Sequence, residues 1–221
     1  MVVLFSSFVT STFNNFSLFV SGVEPVLVGD ESALRAAVNA ADGPAIIALT
    51  ADITLTDSAL VIPYGKDITL ISDKSAGFWK LVGVANQDTI IVDGVLTLDG
   101  IIVTHAENVT GHSGVTVEFD GVLTMFGGEI SGNIGGYGGG VCNNVNGNFS
   151  LFDGKIFENI ANYGGGVHNA GDRDFESGFF MFGGEISGNT ANEQGGGVHN
   201  HGDGIFSLFD GKISNNITVR Q

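Results

Sequence analysis

The stretch MFGGEISGN occupies residues 125–133 and returns unchanged at residues 181–189. Between the two copies lies LFDGKI at residues 151–156, and this segment returns at residues 208–213. The isoleucines of the four segments, at positions 130, 156, 186 and 213, are 26, 30 and 27 residues apart. Each unit contains short apolar strands with glycine corners. A repeat of this length predicts one coil of a parallel β-helix, because a propeller blade is longer and an α-solenoid has helical periodicity.

A second block, GGGV, recurs at residues 138–141, 164–167 and 195–198. The chain has 35 glycines and only 3 prolines, which fits many tight corners, and its hydrophobic fraction of 43% is enough for one sizeable core. We therefore predict an all-β fold over residues 23–221, a right-handed single-stranded parallel β-helix. The uneven spacing of the repeats is attributed to an insertion near residues 170–177.

One short helix is expected near residues 31–41, before the first regular strands. Asp30 is a suitable N-cap, Leu34 and Val38 lie on one apolar face, and the Gly43-Pro44 pair ends the pattern. We expect this helix to cover the N-terminal end of the core.

The net charge of −16 comes from 24 acidic against 8 basic residues. Such a surface argues against binding to nucleic acid, whose phosphates need lysine and arginine. No apolar run of about 18 residues occurs, so no transmembrane segment is expected.

Equivalent residues of successive coils should stack in columns about 4.8 Å apart. One column alternates in charge and is expected to form ion pairs: Glu129, Lys155, Glu185 and Lys212. A second column predicts a ladder of side-chain amides: Asn133, Asn159, Asn189 and Asn215. A third column is aromatic: Phe126, Phe152, Phe182 and Phe209. Strict strand alternation from Met125 would turn this column outward as an exposed stripe, but the glycine after it could mark a bend that turns it inward, and we favour a position in the core.

Candidate metal ligands follow the GGGV blocks. Cys142, His168 and His199 share one column, and His201 and Asp203 lie close in sequence. Adjacent members could share a metal, but all three column members could not, because the outer pair would lie about 9.6 Å apart. The weak metal candidates are thus His168, His199, His201 and Asp203, with a stacked polar column as the alternative. No cofactor is expected otherwise, although the acidic surface could collect Ca²⁺.

The acids do not form a catalytic constellation in the sequence. Asp99, Asp153 and Asp210 each precede a glycine of the repeat, which is ordinary turn chemistry. We therefore expect a protein that is not an enzyme. The alternative is a carbohydrate-active β-helix enzyme or a polysaccharide-binding module, in which clustered acids and bases would break the repeat.

The N-terminal segment, residues 1–22, contains a spare copy of a repeat strand. Residues 15–19, Asn15, Phe16, Ser17, Leu18 and Phe19, are identical to residues 148–152. This strand precedes the expected capping helix, so its own coil does not need it. One hypothesis is that it adds to a sheet of a neighbouring copy, and the other is that it pairs along its own β-helix. No lysine or arginine precedes Arg35, so the positive region of a signal peptide is missing.

Four sequons provide candidate glycosylation sites, at Asn15, Asn108, Asn148 and Asn216.

GGEISGN followed by GGGV resembles the glycine-rich repeats of adhesin-like surface proteins of methanogenic archaea and bacteria. It is also similar to the repeats of chlamydial polymorphic outer-membrane proteins, although glutamate stands at position 129 where those repeats carry alanine, and their Phe-x-x-Asn motif is missing. The resemblance implies an extracellular or cell-surface β-helix. With the spare strand, it leads us to expect a structural protein that self-assembles into a filament or sheath by strand addition or by head-to-tail stacking, with cell-surface polysaccharide as a further partner.

Overall fold

The structure is a computed structural model, which describes residues 23–73, 77–106, 112–172 and 178–219. These residues form a parallel β-solenoid of about 6 turns with one short helix near its N-terminal end. The all-β solenoid fold predicted from the repeat is therefore confirmed. Residues 1–22, with their assembly candidates, lie outside the described residues.

Three parallel sheets run along the solenoid and share its core. The first sheet contains thirteen strands, which are β1 (Val26–Val28), β2 (Pro44–Leu49), β3 (Ile53–Thr54), β5 (Asp67–Ser72), β6 (Lys80–Gly83), β8 (Val95–His105), β10 (Val122–Ser131), β12 (Asn148–Leu151), β13 (Lys155–Phe157), β16 (Gly178–Met181), β17 (Glu185–Ser187), β20 (Ile205–Leu208) and β21 (Lys212–Ser214). The second sheet contains six strands, which are β4 (Leu60–Ile62), β7 (Ile90–Val92), β9 (Val115–Val117), β11 (Val141–Asn143), β15 (Val167–Gly171) and β19 (Val198–Gly202). The third sheet contains β14 (Ile160–Tyr163), β18 (Thr190–Gln194) and β22 (Ile217–Thr218).

The helix α1 spans Glu31–Ala40, close to the predicted boundaries. The Asp30 carboxylate accepts a hydrogen bond of 2.8 Å from the main-chain N–H of Ala33, so Asp30 is the N-cap. Leu34 and Val38 are buried in the core beside β1 and β2. The helix therefore packs at the N-terminal end of the solenoid, as the sequence predicts.

The core is built from stacked apolar columns whose members alternate with outward residues along each strand. Its aromatic column is Phe149, Phe179 and Phe206, whose ring centroids lie 4.8 and 5.0 Å apart. Phe149 and Phe179 are fully buried. These rings fill the interior behind β12, β16 and β20.

The expectation that the other phenylalanine column lies in the core is wrong. Phe152 and Phe182 are each 40% exposed and Phe209 is 66% exposed. Strand alternation continues through the buried Met125, so Phe126 turns outward. The β8–β10 register shifts first between Met125 and Gly127, which leaves Phe126 opposite no residue of β8, and again between Gly127 and Gly128, where Gly128 has a φ of +92°.

The uneven repeat spacing has two local causes. The segment from Asn169 to Gly178 is four residues longer than the segment from Asn143 to Asn148, with which it pairs at both ends. This places the long step at the predicted corner. The remaining extra residue belongs to β18, where the register with β14 shifts between Ala161 and Tyr163.

Candidate functional site

Buried asparagines form a continuous hydrogen-bonded column, the first amide ladder. Its side chains donate from one coil to the next, from Asn133 to Asn159 over 2.9 Å, from Asn159 to Asn189 over 3.0 Å, and from Asn189 to Asn216 over 2.9 Å. Each receiving Oδ1 also accepts from the main-chain N–H of the preceding asparagine. This second bond fixes which end of each amide is oxygen, because a main-chain N–H can only donate.

The prediction that Asn215 is the fourth member of this ladder is wrong; the member is Asn216. Ser187 pairs with Ser214, so Asn215 aligns with Gly188 and Asn216 aligns with Asn189. Asn215 has a φ of +56°, in the left-handed region that Gly188 also occupies. Asparagine adopts this conformation more readily than most residues, which explains an asparagine at both adjacent positions.

His105 closes the N-terminal end of the first amide ladder. Its Nδ1 lies 2.9 Å from Oδ1 of Asn133, and its Nε2 lies 2.7 Å from the main-chain oxygen of Gln87. Because the ladder polarity makes the Asn133 atom an oxygen, both ring nitrogens of this buried histidine face acceptors. His105 stands outside the GGEISGN repeat, so no periodic signal in the sequence reveals it.

A second amide ladder was not anticipated from the sequence. Asn143 donates to Asn169 over 2.7 Å, and Asn169 donates to Asn200 over 2.6 Å. Its signal is the asparagine two residues after each GGGV block, since the full repeated pattern is GGGVxN. This ladder has no cap, because the buried Oδ1 of Asn143 has no hydrogen-bond partner among the described residues.

The histidine column lies on the outer side of the second sheet. Cys142 pairs in register with His168, which pairs with His199. The Nδ1 atoms of the two histidines are 2.9 Å apart while their ring centroids are 5.0 Å apart, so the nitrogens point toward each other. This is the geometry of one N–H···N hydrogen bond. A metal at about 2.0–2.1 Å from both nitrogens would require both rings to turn.

The environment favours neutral imidazoles in this column. Burial, followed by the neighbouring His199 and His201, lowers the pKa of His168 to about 4. Burial and His201 also lower the pKa of His199. Burial raises the pKa of the Cys142 thiol to about 12, with a further contribution from the carboxylates of Asp88 and Glu118. The column is therefore uncharged at neutral pH, and its thiol is a poor nucleophile.

The other metal candidates lie near this pair without joining it. His201 pairs in register with Ala170, and its ring centroid is 6.1 Å from that of His168 and 5.8 Å from that of His199. Asp203 is exposed in the following turn. Within the described ranges, no three histidine, cysteine, aspartate or glutamate side chains are placed to hold a metal ion.

Two outward-facing columns lie on either side of a bend in the first sheet, which branches after β10 into β12–β16–β20 and β13–β17–β21. The Phe stripe consists of four stacked rings, with neighbouring centroids 4.9, 4.7 and 4.8 Å apart, which belong to Phe126, Phe152, Phe182 and Phe209. The charge column consists of the registered residues Glu129, Lys155, Glu185 and Lys212. Within it, Lys212 forms an ion pair with Glu185, with 3.7 Å between nitrogen and oxygen.

The aspartates of the repeat act in turns. The carboxylates of Asp153 and Asp210 each accept a hydrogen bond of 2.7 Å from the N–H of the following glycine. Those glycines have positive φ values of +103° and +100°. This is the role that the sequence assigns to these aspartates.

The described sequons lie in ordered structure. Asn148 begins β12 and is half-buried. Asn216 uses both ends of its amide, because Oδ1 accepts from Asn189 and Nδ2 donates to the carbonyl of Ile186. A glycan on Asn216 would compete with these bonds. Asn15 and Asn108 lie outside the described residues.

A comparison with family models, with curated proteins and with solved structures finds no match to this chain. Among the residues described here, no helix is long and apolar enough to span a membrane.

Proposed function

We propose that this chain is a non-enzymatic structural protein of the cell surface that assembles with copies of itself. In this proposal, residues 15–19 of one copy add as a strand to the last rung of another, which consists of β19–β22. The observation that carries the proposal is the match between residues 15–19 and the columns of the first sheet. The surface location rests on the resemblance of the repeats to those of adhesin-like proteins.

The last rung of the described chain is covered on one side only. Along one core column, Leu151 and Met181 are fully buried, whereas Leu208 is 50% exposed. Beside it, Phe179 is fully buried and Phe206 is partly exposed. These side chains have the orientation of core residues, and a further strand over β20 would bury them.

Residues 15–19 carry the side chains that such a strand needs. In the register of β12, Phe16 would stack on Phe206 and Leu18 would lie over Leu208, because residues 15–19 repeat residues 148–152. Ser17 would point outward like Ser207. Parallel strand addition would then supply main-chain hydrogen bonds along β20.

The test is a matched pair of substitutions in the full-length chain. Leu18→Asp puts a charge into the core column, and we expect it to abolish polymers seen by negative-stain electron microscopy and light scattering. Ser17→Asp adds the same charge on the outer side, and we expect polymers to persist. On the receiving rung, Leu208→Asp and Ser207→Asp should behave in the same way.

Two results would contradict the proposal. The first is a wild-type chain that remains monomeric at all concentrations tested. The second is a polymer that Leu18→Asp leaves unchanged, because residues 15–19 would then pair within their own solenoid or serve another purpose.

A further inference from the structure

The Phe stripe is a contiguous apolar feature on the outer side of the first sheet. Its rings are already stacked on one another, yet Phe152, Phe182 and Phe209 keep 40–66% of their surface exposed. Phe152, Phe182 and Phe209 lie at the bends that follow β12, β16 and β20, and a contiguous row of exposed aromatic side chains is typical of an interaction surface. The stripe runs along the solenoid, at right angles to the strands, so it is distinct from the open face of the last rung.

We infer that the Phe stripe is a contact between two copies of this chain, which pack face to face with their solenoid axes antiparallel. The argument comes from the adjacent charge column. Read along the solenoid its order is Glu, Lys, Glu, Lys, and read in reverse it is Lys, Glu, Lys, Glu. Every position of the column therefore meets the opposite charge when it faces a reversed copy of itself.

The two-fold axis must lie in the contact plane, perpendicular to the solenoid axis. A rotation about this axis brings the Phe stripe onto the Phe stripe and the charge column onto the charge column, in reverse order. Glu129 then lies opposite Lys212 of the second copy, and Lys155 lies opposite Glu185. A two-fold axis parallel to the solenoid would place the charge columns on opposite sides of the Phe stripe, where they could not pair. The charge order thus selects one of the two symmetric arrangements.

Exchanging the charges at positions 129 and 212 distinguishes a contact between two copies from ion pairs within one chain. Glu129→Lys and Lys212→Glu each place like charges opposite each other twice in the antiparallel pair, so each should weaken dimerisation about tenfold at low salt. The double variant restores opposite charges across the contact, and we expect its dimerisation constant to return to about the wild-type value.

Within one chain, the double variant does not restore what the single substitutions lose. Glu129→Lys stands beside Lys155, and Lys212→Glu loses its ion pair with Glu185. Both penalties remain in the double variant, so its melting temperature should be the lowest of the set. Sedimentation velocity and thermal unfolding on the same samples would therefore move in opposite directions for the double variant.

Cross-linking tests the orientation directly and does not depend on strand addition. Phe126→Cys and Phe209→Cys are made separately, and the native thiol of Cys142 is buried. In the antiparallel pair these positions face each other, so disulfide dimers should form in a mixture of the two variants. Either variant alone should remain uncross-linked, since its two cysteines would lie about three rungs apart, on the order of 14 Å. End-to-end stacking of copies would not bring position 126 to position 209.

Three results would overturn the inference. Rapid disulfide formation by Phe126→Cys alone would indicate a parallel contact. Unchanged association in the paired variant Phe152→Ser with Phe182→Ser would remove the Phe stripe from the contact. A monomeric protein that sediments with a soluble neutral glucan, and loses this binding in the same paired variant, would make the Phe stripe a sugar-binding surface.

Discussion

The first amide ladder gives the sharpest test of how this solenoid is held together. Asn159 lies in its middle and is fully buried, and its side chain takes part in four hydrogen bonds. Its Oδ1 accepts from the N–H and Nδ2 of Asn133, at 3.0 and 2.9 Å. Its Nδ2 donates to the carbonyl of Ile130 and to Oδ1 of Asn189, at 2.9 and 3.0 Å. Asn159→Ala removes all four bonds and leaves the strands in place.

The loss in the free energy of unfolding depends on which hydrogen-bond partners of Asn159 keep another partner after the substitution. Oδ1 of Asn189 still accepts from the N–H of residue 159, and Nδ2 of Asn133 still lies 3.4 Å from the carbonyl of Val103. The N–H of Asn133 and the carbonyl of Ile130 lose these side-chain partners. At about 1–3 kcal/mol for each buried group left unsatisfied, we expect Asn159→Ala to lower the free energy of unfolding by about 2–6 kcal/mol.

A matched control is available one strand away. Asn162 accepts a hydrogen bond of 3.0 Å from Nδ2 of Asn192, but both residues are exposed. Asn162→Ala should therefore change the free energy of unfolding by no more than about 0.5 kcal/mol. Urea unfolding monitored by far-ultraviolet circular dichroism compares the two variants. If the variants differ by less than about 1 kcal/mol, the buried ladder does not contribute as argued.

Three further outcomes are expected. The free energy of unfolding should fall as the pH drops from about 6.5 toward 4, because the lowered pKa of His168 means that this histidine is protonated at a higher pH in the unfolded chain than in the folded one. The loss should be about 2 kcal/mol after allowing for solvent screening. Unfolding midpoints of His168→Gln should lack this pH dependence. Val117→Thr should lower the free energy of unfolding by about 1 kcal/mol less than Val115→Thr, because the threonine hydroxyl at position 117 can donate to the unpartnered Oδ1 of Asn143 in the second amide ladder. Chemical denaturation compares the two variants. Gly128→Ala should lower the melting temperature, since an added Cβ would lie 2.2 Å from a main-chain oxygen at a φ of +92°, whereas Gly136→Ala has no atom within 4 Å and should be near neutral.

The fold could be predicted because its signals repeat. Each coil carries the same strand pattern and the same glycine corners, so every further copy strengthens one interpretation. The helix could be predicted because Asp30 and the Gly43-Pro44 pair are local signals that need no tertiary contact. The first amide ladder could be predicted as a column, but adjacent asparagines at 215 and 216 made its last member ambiguous without the register.

Other features depend on three-dimensional geometry that the amino-acid sequence does not specify. The outward direction of Phe126 depends on whether the chain bends before or after it, and GG at residues 127–128 marks a bend without fixing its start. The second amide ladder was hidden because its asparagines stand in segments already rich in asparagine and glycine. His105 is a single residue outside the repeat, and its role exists only because the chain returns one coil later with Asn133.

The two amide ladders give the solenoid a chemical direction. In both, the amide nitrogen of each asparagine donates toward the C-terminal coil and the oxygen accepts from the N-terminal one. A group stacked before the first coil of a ladder must therefore donate, as His105 does for Asn133, and a group stacked after the last coil must accept. Residues 15–19 match the columns of β20 and the Phe stripe but neither asparagine column, so strand addition would cover the apolar part of the last rung and leave the asparagine columns without an acceptor. A purely apolar cap would leave the Nδ2 groups of Asn216 and Asn200 facing a surface that has no hydrogen-bond acceptor. We therefore expect water or a polar segment to cover these two columns in any assembly.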